Sequence, residues 1–328
     1  MIQDLSLKTY HASQHIGSST LKQMLISPKW FRYAQLHPED NRISLENELK
    51  GSVYHSLLAS YTNKGDDSDF LAEYTVFEPP INDKTGRPFG YDSQKFLDAY
   101  NLFQEANPDK VICSQSEVNL AYAMAKELLH GNDHLSRDVK YLIDHGKAEQ
   151  SHIVEYEGVS FKFRPDLETK KKIVDWKTCQ FEVPKTENFA KQIAKLNYHI
   201  SAAFYQYFDW IENGLWRNFF WVAQEKEPPY DFNIIDASNW TWEIHNITEK
   251  DGLIIPDEDM QYVIETPTQI VIPKTGALLF LKLLHAYIEF SKADIWPGYS
   301  IFTQPDWKGR RIAKSEVPIW QKTINYYM

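Results

Sequence analysis

One stretch, His152 to Cys179 (HIVEYEGVSFKFRPDLETKKKIVDWKTC), limits the possible folds more than any other part of the chain. Its first run, His152 to Tyr156, is followed by Glu157-Gly158, a two-residue reversal of the kind that favours a hairpin. From Val159 to Arg164, the residues Val159, Phe161 and Phe163 alternate with Ser160, Lys162 and Arg164, the period of a half-buried strand. A polar turn through Glu168 to Lys172 leads into a third strand, Ile173-Val174-Asp175-Trp176-Lys177. Asp166 falls just past the second strand. Asp175 and Lys177 lie two apart on the third, so both side chains leave the same face. Glu149 stands just before the first strand, with Glu155 as the alternative carboxylate there. Three carboxylates and a lysine are expected to meet at one sheet edge.

Asp-x-Lys alone says little in a chain with 45 acidic and 35 basic residues. The apolar lead-in Ile173-Val174 and the carboxylate at the end of the adjacent strand set this one apart. Phosphodiester hydrolysis needs charge neutralisation on the phosphate and an activated water. A hard cation such as magnesium accepts carboxylate oxygens and keeps positions open for water and phosphate. In that chemistry Asp166 and Asp175 are the metal ligands, and Lys177 holds the nucleophile or steadies developing negative charge.

The rest of the chain supplies helices around this stretch. Ser18-Ser19-Thr20 offers N-caps before Leu21, Met24, Leu25 and Ile26, a run that Pro28 ends. A second helix runs from Leu45 to about Tyr61, with Gly51 and His55 one turn apart on one face. Residues 62–95 read as a turn-rich insertion with a short strand near Tyr74 to Phe77, and helices follow over Ser93 to Ala106 and Ser114 to Leu129. His130 and His134, separated by Gly131 and Asn132, read as a loop pair. The apolar stripe Phe189, Ile193, Leu196, Ile200, Phe204 and Phe208 predicts one long helix from Thr186 to Asn213. Strands over Trp216 to Val222 and Asp231 to Ile235 come next, and a helix over Leu278 to Ala293 follows. Strand–strand–strand–helix–strand order predicts an α/β core, a mixed sheet flanked by helices. One elaborated domain is expected: a mainly helical part over 1–140, a core over 141–236 and an extension over 237–328.

Composition narrows the function classes. Two cysteines, Cys113 and Cys179, cannot build a disulfide framework or a four-thiolate metal site. No stretch approaches the about 18 unbroken apolar residues of a membrane span. The start, MIQDLSLKTYHASQH, lacks the basic and apolar regions of a secretion signal, so a cytoplasmic protein is expected. A net charge of -10 opposes non-specific coating of nucleic acid, which needs cationic surface. Local basic runs, Lys170-Lys171-Lys172 and Lys308 to Lys314 with Arg310 and Arg311, are either solvated or in reach of phosphate.

Glu149-x-Ser151, Arg164-Pro165-Asp166 and Asp175-Trp176-Lys177-Thr178 together resemble the PD-(D/E)XK nuclease motif as the RecE group (exonuclease VIII) writes it. Gly51-Ser-Val-Tyr-His55 is similar to the Gly-x-x-x-His segment upstream of that core in RecB-like and RecE-like nucleases. Ser19-Thr-Leu21-Lys22, Ser27-Pro28 and Trp296-Pro297-Gly298-Tyr299 also look like that group. The resemblance implies a restriction-endonuclease-like core and a magnesium-dependent exonuclease, with manganese as an alternative ion. It implies that His55 and Glu149 join Asp166 and Asp175 at the metal, and that Arg164, Thr178, Tyr198, Ser201 and Tyr205 contact substrate. It further implies 5′ to 3′ digestion of linear double-stranded DNA ends in phage-type recombination, a ring-shaped homo-oligomer and a single-strand annealing partner. The alternatives are an endonuclease or defence nuclease on the same core, and a catalytically idle DNA-binding relative. One departure is plain: the family's helix carries Gln-x-x-x-Tyr, whereas this chain has Ser201 four residues before Tyr205.

Overall fold

Lys172–Cys179 is the middle strand of a five-stranded sheet in the computed structural model, which describes residues 2–3, 5, 7–37, 45–255 and 260–298. The basic run from Lys308 to Lys314 and Tyr299 lie outside the described residues. Strand order is Phe232–Asp236, Asn218–Glu225, Lys172–Cys179, Leu167–Glu168, Lys147–Ala148. Lys172–Cys179 runs parallel to Asn218–Glu225, and the other three pairings are antiparallel. A parallel neighbour demands a crossover, which the helices Thr186–Leu196 and Tyr198–Asn213 supply.

Alternation along the middle strand makes both sheet faces apolar. Val174 and Trp176 pack with Val53, Tyr54 and Leu57 of helix Leu45–Lys64 and with Ala121 and Leu128 of helix Gln115–His130. Ile173 and Cys179 face the other way, into Phe189, Ile193 and Ala202. Trp176 and Trp221 are each buried to within 1% of full enclosure. Burial on that scale contributes about 2–3 kcal/mol for each large side chain and fixes which residues are left to line the open edge.

Four sequence expectations change. The stretch from His152 to Cys179 is not one three-stranded sheet. Ser151–Tyr156 and Val159–Phe163 pair as the expected hairpin in a separate sheet, joined by Ile2–Gln3. The turn expected from Glu168 to Lys172 starts inside a two-residue strand, Leu167–Glu168, and this strand is what pairs with Lys172–Cys179. The predicted helix over 186–213 is two helices, broken at Asn197, whose φ of 53° no helix interior accepts. The continuous apolar stripe hid the break. His130 and His134 are not in a loop: His130 closes helix Gln115–His130, and His134 opens helix His134–His145, which Asp133 caps through the Ser136 N–H.

Packing divides the chain into two compact units, Met1–Ser18 with Ile43–Phe280 and Ser19–Arg42 with Leu281–Met328. The first holds the sheets above, and a further three-stranded sheet of Trp242–Asn246, Gln269–Pro273 and Ile264–Glu265. In the second, Ser27 caps helix Pro28–Leu36 by accepting the Trp30 N–H at 3.0 Å. Pro28 therefore opens a helix as well as ending the preceding run. Phe31 of this helix stacks on Trp296 with centroids 5.3 Å apart, and Pro297 O accepts the Lys29 N–H. Among the described residues, no helix is long and apolar enough to cross a membrane.

Candidate active site

Strand register brings the carboxylates together. Leu167 pairs with Val174 and Glu168 with Ile173, so one step further along that antiparallel ladder Asp166 stands opposite Asp175. Ala148 pairs with Leu167, and just past that ladder the chain turns at Glu149, whose N–H donates to Pro165 O at 3.2 Å, beside Asp166. Asp166 and Asp175 thus face each other across two adjacent chains, and Glu149 completes the row with a carboxylate oxygen within 4.8 Å of that of Asp166. Residues far apart in sequence become a row because two very short strands stop just where the acids begin.

Each acid is held differently. Asp166 accepts the Trp176 N–H through Oδ2 at 2.6 Å, and its Oδ1 lies 3.5 Å from His55 Nδ1. Asp175 pairs with Lys177 Nζ at 2.6 Å, as their shared strand face requires. Glu149 accepts Arg164 Nε at 2.6 Å, and Arg164 Nη1 also donates to Leu5 O and Ser151 Oγ. The Arg164 guanidinium, expected at substrate, is therefore turned to Glu149. Glu149 has φ 57°, a left-handed backbone that L-residues enter at a cost on the order of 1 kcal/mol.

His55 is placed from the opposite side. Its helix is anchored by Tyr54, whose hydroxyl donates to Gln224 of the sheet, and by Asn63, which exchanges two hydrogen bonds with Ala148 at 3.0 and 3.2 Å. Gly51 lies one turn before His55 on that helix. His55, Glu149 and Asp166 each offer a donor atom, all within 4.8 Å of one another. Glu155 lies elsewhere, exposed on the hairpin and accepting from Ser160.

The electrostatics are uneven. Burial pushes the Glu149 carboxyl up to about 7, with the Asp166 charge adding and Arg164 opposing. Burial likewise lifts Asp175 to about 6 against the pull of Lys177. Burial acts on Asp166 too, but His55, Lys177 and the Trp176 N–H outweigh it and hold the carboxyl at about 2. Lys177 stays above its ordinary value: burial works against its charge, and Asp175 and Asp166 overcome it. Two carboxylates of the row are thus short of positive charge. Hard oxygens on Glu149 and Asp166 with one imidazole suit a divalent cation of the magnesium or manganese kind. Those residues fit such an ion.

Helix Tyr198–Asn213 faces this row. The Lys177 ammonium sits 5.0 Å over the Tyr198 ring, and Gln192 Nε2 donates to the Tyr198 hydroxyl at 3.4 Å. Burial, then Tyr10, Asp175, Asp166 and Glu149, push the Tyr205 phenol well above its ordinary value. Tyr205 packs on Phe163 and Phe219. Ser201 lies between the two tyrosines on the same helix face, half-buried. Thr178, next to Lys177, lines a neighbouring cleft. Gln192 and Tyr10 were not singled out from sequence. Gln192 sits in a helix whose visible signal was its apolar stripe, and Tyr10 lies 154 residues before the Arg164 whose guanidinium it carries on its ring at 5.6 Å. Lys172 is at the far end of the strand, stacked on Phe220, about 17 Å from Lys177 at 3.3 Å per residue.

A family model described as a PDDEXK-like domain of unknown function (DUF3799) matches residues 18–252. A solved structure from Eubacterium rectale, provisionally named an exonuclease, is 14% identical, aligns over 98% of each chain and gives a TM-score of 0.49. No curated protein matches the chain.

Proposed function

The chain belongs to the PDDEXK-like family of domains, and from that premise we propose that it is a metal-dependent DNA exonuclease. The observation that carries this is the row Glu149–Asp166–Asp175 with Lys177 two residues on along the same strand face. A divalent cation held by Asp166, Glu149 and His55, with Asp175 adjacent, would neutralise the phosphate and lower the pKa of a bound water. Magnesium is the ion proposed, with manganese as the substitute.

The protein's own groups do the remaining work. Lys177 carries a full positive charge at neutral pH and lies beside Asp175, placed to hold the attacking water and to balance charge on the phosphorane-like transition state. Tyr198 backs the Lys177 ammonium and limits where it can swing. Arg164 holds the Glu149 carboxylate by one oxygen, within the cluster it forms with His55 and Asp166. His55 fixes the Asp166 carboxylate from the helix side.

Attack on the ends of linear double-stranded DNA, the 5′ to 3′ sense, a ring of identical subunits and a single-strand annealing partner in phage-type recombination rest on the family resemblance. The test is a time course on end-labelled linear duplex with magnesium, beside a closed circle of the same sequence. Loss of the label from one end with the circle intact supports the proposal. Cutting of the circle makes the protein an endonuclease, and no product from either substrate sinks the catalytic assignment.

A further inference from the structure

A cleft of about 390 Å3 opens one residue beyond Lys177, lined along the strand by Thr178, Cys179 and Gln180. Helix Thr186–Leu196 forms its opposite wall, with Lys191 and Lys195 four apart and therefore on one face. Lys226 closes the third side. It follows directly after strand Asn218–Glu225, and its N–H donates to Cys179 O at 2.9 Å, which ties it to the end of the catalytic strand. Three lysines thus line one recess of a chain whose net charge is -10. No carboxylate lines the cleft, and among the described residues none of the three lysines is paired with one. Glu225 and Glu227 flank Lys226 in the chain and Glu187 precedes Lys191 by one turn, but none of these acids lines the cleft.

The cleft is also wired to the catalytic row. Gln192 lines it and reaches the Tyr198 hydroxyl at 3.4 Å, and Tyr198 lies under the Lys177 ammonium. The Gln192 amide contacts are long, 3.4 Å to the hydroxyl and 3.9 Å to Cys179 Sγ, so the amide can turn to an incoming acceptor at little loss. Phe181 follows Gln180 in the chain and stands 58% exposed. A large aromatic left in water beside a basic recess has the composition of a single-strand binding track, in which cations follow phosphates and an aromatic face takes a base. The volume lies near the lower end of ligand cavities, enough for a short piece of one strand and not for a duplex.

We infer that this cleft binds the phosphodiester backbone of a single nucleic-acid strand adjoining the catalytic row, with Lys191, Lys195 and Lys226 on the phosphates and Phe181 on a base. The inference rests on the nuclease proposal for its biological sense, and its test does not. Fluorescence anisotropy is measured with a labelled single-stranded oligodeoxynucleotide and with a blunt duplex, in magnesium, on the Lys177→Met background, at salt from about 50 to 200 mM. Lys191→Gln, Lys195→Gln and Lys226→Gln together should weaken single-strand binding about tenfold and reduce the log–log salt slope by about 2, three phosphates at ≈ 0.7 each. Arginine at the same three positions should restore both affinity and slope, which a folding defect would not allow. Phe181→Ala should weaken the single strand by several-fold without changing the slope.

Unchanged single-strand affinity and slope in the glutamine variant overturn the inference, as does a loss confined to the duplex, or an unsubstituted background that binds no strand. The native protein is assayed for cleavage in parallel. Lysine-dependent strand binding without any cleavage would remove the nuclease proposal and leave the cleft standing.

Discussion

Two ionic clusters grow from the same three residues of chain, Asp166 to Glu168, and they are opposites. Asp166 belongs to the open row described above; Glu168, two residues on, belongs to a closed network. There His152 bridges Glu212 at 2.6 Å and Glu168 at 3.0 Å, and Arg217 holds Glu168 and Asp209 while donating to Thr169 O at 2.7 Å. His152 has no exposed surface and Arg217 only 8%. His152, Glu168 and Arg217 each have two or more partners. Among the described residues Asp209 has Arg217 as its one charged partner, with the Asn213 amide beside it, and is still pushed up by burial. Burial would neutralise His152, yet Glu168 and Glu212 hold its pKa up at about 9. The same contacts keep the Glu168 carboxyl below its usual value in spite of its burial. In the row, Asp175 and Glu149 have one charged partner each and are pushed toward the neutral acid. Matched, enclosed charge holds a fold in register. Carboxylates left short of charge at an accessible edge are waiting for a cation.

Lys177→Met breaks the row hardest. Activity on linear DNA should fall by about a thousandfold or more while the unfolding midpoint in urea stays put. A large loss of stability would mean that the row is structural after all. Arg217→Met should do the reverse. It strands Asp209 and Glu168 in the interior, so stability should drop by about 3–5 kcal/mol, with turnover per folded molecule within about threefold of the native value. Equal damage to turnover would erase the distinction between the clusters.

A subtler separation lies in pH. Groups whose pKa is raised on folding bind more protons in the native state, so their contribution is present at low pH and lost as pH rises. For Asp175 and Glu149 the loss runs from about pH 4 to about 7, and for His152 from about 6.5 to about 9. Urea unfolding followed across pH should therefore show two declining windows. Magnesium or manganese should flatten the lower one, and His152→Gln the upper one. One window that responds to both changes would merge the clusters into a single unit.

Much of the row was legible because strand period alone puts Asp175 and Lys177 on one face, and Pro165-Asp166 marks the end of a run. What could not be read was how Glu149 and Asp166 reach them. Two-residue strands carry no period, and Glu168 looked like turn material because its buried partners, Arg217 and His152, are 49 and 16 residues away. The helix break at Asn197 was invisible for a related reason: the apolar stripe runs through it, and only a backbone angle gives it away. Gln192, Lys191 and Lys195 carry polar side chains on an amphipathic helix, which is where solvent-facing residues belong by default. The closed network escaped notice altogether, since none of its five residues shares a motif.

The left-handed backbone at Glu149 has a consequence for anyone engineering this protein. Glycine or asparagine would relax that conformation, so a library sorted only by heat resistance should enrich them at position 149. Such winners would outlast the parent in a melting assay and lack a carboxylate from the row. Directed evolution here needs a catalytic screen in every round, because durability and chemistry favour different side chains at this one residue.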